Sequence, residues 1–180
     1  EESLGEDNNF MVSPLSLSMA LAMTWNGAAG KTKEAMQQTL KMDGFSDDEL
    51  NSYYKKLREA LLKTDPSTKL SIANAIFTNQ SVKINPDFIN TNRSFYEAAV
   101  EAVDFTRTET VGIINKWASD NTNGLIEKVI ENTKPEDLMY LLNAIYFKGI
   151  WNSEFDKKNT SERPFTYENG TRKNVEMMKQ

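Results

Sequence analysis

Residues able to do chemistry are few in this 180-residue chain, because it contains neither cysteine nor histidine. That excludes a disulfide, a thiolate nucleophile, a zinc finger and a Ser-His-Asp triad. Acid–base work would fall to carboxylates, lysine or tyrosine, and no phosphate loop or dinucleotide fingerprint accompanies them. The sequence therefore predicts no catalysis, no metal ligands and no cofactor. The residue that stands out is an amide. From Leu138 to Phe147 every side chain except Asn143 is aliphatic or aromatic, and Lys148-Gly149-Ile150-Trp151 follows. A continuously apolar strand is expected to be buried on both faces. An amide buried there without partners costs about 1–3 kcal/mol. Asn143 is thus expected to belong to a polar network inside a sheet, one that holds the sheet in one arrangement or lets it choose between two.

The elements that must position Asn143 can be read from caps and periodicity. Glu1 to Asn9 is acidic and polar and reads as a loop. Ser13-Pro14 has the form of a helix start, N-cap followed by proline at the first helical position. Leu15 to Trp25 is apolar nearly all round and is predicted to be buried on most sides. Asn26-Gly27 is predicted to end it with a left-handed residue. Thr32 begins a second short helix. Ser46-Asp47-Asp48-Glu49 is a capping box opening a third, with Leu50, Tyr53, Leu57, Ala60 and Leu61 as its apolar line. Leu70, Ile72, Asn74 and Ile76 alternate as a strand with its own internal asparagine.

Asn85-Pro86 starts a short helix through Phe88 and Ile89, and Ala99 to Phe105 reads as a strand. Thr110 to Asn121 is an amphipathic helix through Val111, Ile114, Trp117 and Ala118. After the long strand, Pro164 to Tyr167 and Asn174 to Met178 flank the turn Glu168-Asn169-Gly170. Helices early and long strands late predict an α+β fold with a largely antiparallel sheet. The long strand looks too apolar for an edge, yet few strands are available to flank it. The simplest explanation is that the chain is part of a longer one.

Composition narrows the partners. A hydrophobic content of 39% predicts a globular protein rather than a disordered one. A net charge of -5 disfavours nonspecific nucleic-acid binding. No run of about 20 apolar residues is present to span a membrane, and no signal peptide is visible at the amino terminus.

These motifs carry a resemblance. Asn9-Phe10-Met11-Val12-Ser13-Pro14-Leu15-Ser16, with Gly27-Ala28-Ala29-Gly30-Lys31-Thr32, resembles the second helix of the serpins and the turn after it. Ile114-Asn115-Lys116-Trp117 with Thr122-Asn123-Gly124-Leu125-Ile126 resembles the family's helix across the front of sheet A. Leu142 to Trp151, then Phe155, is similar to the third strand of that sheet and its exit. Pro164-Phe165 and Val175-Glu176-Met177-Met178 resemble the strands that follow.

The resemblance implies that residues 1–180 form the N-terminal half of a single serpin domain, with helices packed on part of sheet A. The C-terminal half and the reactive-centre loop would lie outside it. It also implies a metastable suicide inhibitor of serine or cysteine proteases, whose cleaved loop inserts into sheet A. Serpin loop insertion is a known case of strand addition and of a conformational switch. A noninhibitory carrier, chaperone or storage serpin is the alternative. The implied partners are a target protease and the C-terminal half, with no nucleic acid, and the implied location is extracellular, cell-surface or periplasmic.

The resemblance further implies that Asn143, with Ser13 and Ser16, belongs to the shutter where the central strands part. The family's histidine partner would lie in the missing half. By itself, Ser13 reads as a helix cap. Trp151 would sit at the breach where insertion begins; on spacing alone it is a rim aromatic. Trp117 would anchor the crossing helix to the sheet. Lys55, Lys56, Arg58 and Lys63 lie where some serpins bind polyanions, but neighbouring carboxylates make a solvated mixed face the better expectation. Sequons at Asn79, Asn92, Asn159 and Asn169 are weak evidence, because a chain so rich in Asn, Ser and Thr would carry about three by chance.

Overall fold

The structure, a computed structural model, describes residues 12–179. The polar opening segment, Phe10 and Met11 lie outside the described residues. The elements run α1 (Pro14–Trp25), α2 (Gly30–Leu40), α3 (Asp47–Leu62), β1 (Lys69–Asn79), α4 (Pro86–Tyr96), β2 (Ala99–Val103), α5 (Glu109–Asn121), β3 (Met139–Lys148), β4 (Ser161–Thr166) and β5 (Arg172–Met177).

Local chemistry sets the helix starts. Ser13 Oγ accepts the Ser16 N–H at 3.2 Å, and Pro14 occupies the first turn. At α3 the capping box is complete: Glu49 N–H donates to Ser46 Oγ at 3.3 Å and Ser46 N–H donates to the Glu49 carboxylate at 2.9 Å. Asn85 caps α4, which continues to Tyr96, well past the predicted Ile89.

Helix ends and faces depart further from expectation. Asn26, closing α1, is right-handed with φ -64°, and Gly27 is not among the residues with positive φ. The glycine serves packing instead, since a Cβ there would come within 3.1 Å of the Phe88 ring. Helix α1 buries Met19, Ala22, Met23 and Trp25 and half-buries most of the rest, leaving one exposed face at Pro14, Leu17 and Thr24, so it is covered on most sides as expected. On α3 the inward stripe is Leu50, Asn51, Tyr54 and Arg58, and the expected Tyr53 faces outward.

The main sheet has the order β2-β1-β3. Strand β1 pairs parallel with β2, from Ala75↔Ala99 to Asn79↔Val103, and antiparallel with β3, from Lys69↔Lys148 to Thr78↔Met139. The twofold side-chain period then divides β1 between two core layers. Ile72 and Ile76 pack with Met19, Met23, Trp25, Leu50 and Tyr96 of the helices. Ala75 and Phe77 pack with Val103, Phe105 and Ile114, with Trp117 against them.

Strand β3 also meets both layers, with Met139, Leu141 and Ile145 on the helical cluster and Tyr140 and Leu142 on the other, but it is less completely buried than β1. Strand β3 is an edge among the described residues; much of it is half-buried, and Phe147 and Lys148 are exposed. An apolar run reports what its faces meet, not whether its edge is paired. Strands β4 and β5 form a separate antiparallel hairpin, mostly exposed, with Gly170 at φ 81° in the predicted turn.

Candidate functional site

Asn143 stands directly opposite Asn74 in the β1–β3 register. Its Nδ2 donates to Asn74 Oδ1 at 2.7 Å and also lies 3.8 Å from Met19 Sδ. Asn74 Nδ2 in turn donates to the backbone carbonyl of Tyr96 at 2.8 Å. The last carbonyls of a helix have no partner within it, and Asn74 supplies one where α4 ends. Glu97 makes that end possible by adopting φ 50° as the left-handed cap. One atom stays unsatisfied: Asn143 Oδ1 is buried without a hydrogen-bond partner among the described residues. Such an orphan acceptor costs about 1–3 kcal/mol.

The polar contacts continue beneath the sheet. Tyr96 Oη donates to Asn51 Oδ1 at 2.8 Å. Burial pushes this phenol far above its ordinary pKa, so it stays protonated as a donor. Asn51 and Asn26 exchange reciprocal amide hydrogen bonds at 2.9 and 3.0 Å. Beside them the buried Arg58 guanidinium pairs with Glu97.

The residues singled out from the sequence are not all brought together. No hydrogen bond joins Ser13 or Ser16 to Asn143 among the described residues. Ser13 is exposed, and its hydroxyl caps α1. The partner of Asn143 is Asn74, whose signal was an asparagine alternating with Leu70, Ile72 and Ile76. Trp151 is 68% exposed and packs edge-on against Phe155 at 5.8 Å. Trp117 is half-buried, edge-on to Phe77 at 6.5 Å, and so seats α5 on β1.

Asn115, noted only within a motif, clasps the segment leaving α5. Its Nδ2 donates to the Ile130 carbonyl at 2.9 Å, and its Oδ1 accepts the N–H groups of Val129 and Ile130. Arg58 does not join Lys55, Lys56 and Lys63 on a solvent face, because it is buried against Glu97. Of the four sequons, Asn79 and Asn92 are buried with their amides bonded to backbone carbonyls. Asn159 and Asn169 are exposed. Among the described residues no acidic cluster could hold a metal ion, and no helix is long and apolar enough to cross a membrane.

Comparison with known proteins agrees with this architecture. The family model for Serpin (serine protease inhibitor) matches residues 1–180. The chain is 36% identical to a leukocyte elastase inhibitor of Xenopus laevis, over 99% of this chain and 49% of that protein. It is 32% identical to human neuroserpin, over 98% of this chain and 44% of that one. The crystal structure of a thermophilic serpin, tengpin, in the latent state superposes with a TM-score of 0.85 at 36% identity, covering 96% of this chain and 47% of that chain. The chain thus spans about half the length of the relatives it matches. The family model and the Xenopus laevis relative are both named as inhibitors rather than as catalysts. With its helices packed on part of sheet A, the chain belongs to the serpin family.

Proposed function

We propose that this chain is the sheet-bearing part of a serpin-type suicide inhibitor of serine or cysteine proteases. In this reading a protease attacks a reactive loop carried elsewhere in the polypeptide and forms an acyl-enzyme. The cleaved loop then adds to the sheet beside β3 and carries the protease with it. The observation supporting this is the orphan Asn143 Oδ1, buried on a strand whose outer edge hydrogen-bonds to no described strand. An edge strand with an unpaired buried acceptor is prepared for a neighbour that brings a donor. Asn74 and Asn143 form the shutter pair, with Ser13 and Ser16 at the start of the helix beneath. Trp151 marks the breach, and Trp117 holds the crossing helix. The C-terminal half of the same protein supplies the remaining strands. An extracellular, cell-surface or periplasmic location completes the proposal.

The test uses the complete reading frame. The full protein is incubated with trypsin-, chymotrypsin-, elastase- and papain-type proteases, and products are resolved under denaturing conditions. A covalent complex with at least one protease is expected, and none with the 180-residue chain alone. Loop cleavage without a stable complex across the panel would indicate the noninhibitory alternative.

A further inference from the structure

The sequons at Asn79, Asn92, Asn159 and Asn169 differ in what surrounds them. Asn79 and Asn92 are no more than 4% exposed, and their Nδ2 groups donate to backbone carbonyls inside the fold. Asn159 is exposed at the end of a short 3-10 turn, and no hydrogen bond joins its side chain to Ser161 among the described residues. Asn169 stands at the tip of the β4–β5 hairpin, in Tyr167-Glu168-Asn169-Gly170-Thr171. There the Tyr167 N–H donates to the Thr171 carbonyl at 2.8 Å, and the Gly170 N–H to the Tyr167 carbonyl at 2.9 Å. Gly170, at φ 81°, is the left-handed residue that such a three-residue hairpin loop requires. Asn169 Oδ1 accepts the Thr171 N–H at 3.0 Å and the Thr171 hydroxyl at 2.7 Å. Its Nδ2 meets no acceptor among the described residues.

An aromatic pair lies beside this amide. Tyr167 and Thr171 continue the pairing that ends at Thr166↔Arg172, and side chains directly opposite share a face. The Thr171 hydroxyl therefore draws Asn169 to the face that holds the Tyr167 ring. Phe165, two residues back on the same face, packs edge-on to that ring at 5.4 Å and steadies it. Both rings remain more than 40% exposed.

We propose that Asn169 is an N-glycosylation site and that the first sugar of its glycan rests on the Tyr167 ring. In the transfer, Asn169 Nδ2 bonds to the anomeric carbon of an N-acetylhexosamine. The bond from that carbon to an isoprenoid diphosphate breaks, and one amide proton passes to a base on the transferase. Every contact that shapes this acceptor lies within five residues, so a nascent chain can adopt it without the rest of the domain. Once attached, the C–H face of the sugar covers the exposed ring and removes apolar surface from water. In the cell the inference rests on the extracellular location proposed above, because only a chain on that route meets the lipid-linked donor.

The experiment expresses the full reading frame behind a cleavable signal peptide in a eukaryotic secretory host. Secreted and cell-retained protein are both mapped by mass spectrometry, so a folding failure hides nothing. A glycan is expected on Asn169, absent in Asn169→Gln and Thr171→Ala and kept in Asn159→Gln. Amide exchange in the hairpin strands, Ser161–Thr166 and Arg172–Met177, should be about fivefold faster in Asn169→Gln than in the glycosylated protein, the size of one aromatic contact. In a Tyr167→Ala background the same comparison should show no difference. Protein without a glycan at Asn169, whether secreted or retained, would overturn the site. A glycan that slows exchange equally in Tyr167→Ala would overturn the role of the ring. A chain that accepts the glycan here yet is cytosolic in its own cell refutes the location and supports the acceptor geometry.

Discussion

At the scale of single residues, Asn143 was legible because an amide in an apolar run must be accounted for. Asn74 was legible for the same reason, but their pairing was not. The two are 69 residues apart, and only the register of β1 against β3 places one opposite the other. Ser13 shows the opposite limit: its cap could be read from neighbouring residues, because the Ser16 N–H that its hydroxyl accepts lies within the same turn. The pairing makes a prediction for the complete protein. Asn74→Ala leaves the Tyr96 carbonyl and Asn143 Nδ2 unpaired and should cost about 2–4 kcal/mol. Asn143→Ala should cost about 1–2 kcal/mol, because it also removes the orphan Oδ1. In urea unfolding the double variant should fall short of the sum by about 0.5–3 kcal/mol. Strict additivity would show that the two amides do not interact.

At the scale of elements, starts were readable and inward faces were not. A cap involves groups within one turn, so Ser13, Ser46 and Asn85 announce α1, α3 and α4. The buried stripe of α3 escaped because Asn51 and Arg58 look like surface residues until Tyr96, Asn26 and Glu97 are beside them. The start of α3 should also carry a pH signature. The Ser46 N–H and hydroxyl hold the Glu49 carboxyl below its ordinary value of 4.5. Burial would raise Asp47, but hydrogen bonds from Lys33 and Trp25 prevail and lower it. Because both folded values lie below the unfolded ones, their stabilisation is complete above the ordinary carboxylate range. It is lost as pH falls through the lowered values. Ser46→Ala should therefore destabilise the protein at neutral pH by about 1 kcal/mol, typical of a lost N-cap. It should also lessen the fall in stability between about pH 5 and 3. Chemical denaturation at stepped pH measures both, and an unchanged acid slope would remove Glu49 from the account.

At the scale of the whole molecule, the chain is a sheet with one side unfinished. Leu138, Phe147, Ile150 and Trp151, along and beyond β3, are 57–68% exposed. Exposed apolar groups beside an unpaired strand edge invite association. The isolated 180 residues should accordingly bind hydrophobic dyes, self-associate in sedimentation and lack a sharp, reversible melt. A monomer with a cooperative transition would count against a partial domain. The apolar length of β3 and the scarcity of flanking strands already pointed to a chain of which this is part, and the coverage of about half of each relative agrees. By itself the sequence determined which segments become helices and strands, the absence of thiol and imidazole chemistry, and the family, because caps, periodicity and motifs are local in the chain. Tertiary structure alone decided that β1 is the central strand while β3 lies at the edge among the described residues. It also decided that Asn143 meets Asn74 rather than a serine, and that Tyr96 joins the sheet to the helices. Those facts depend on register and on which polar groups find partners when distant segments meet.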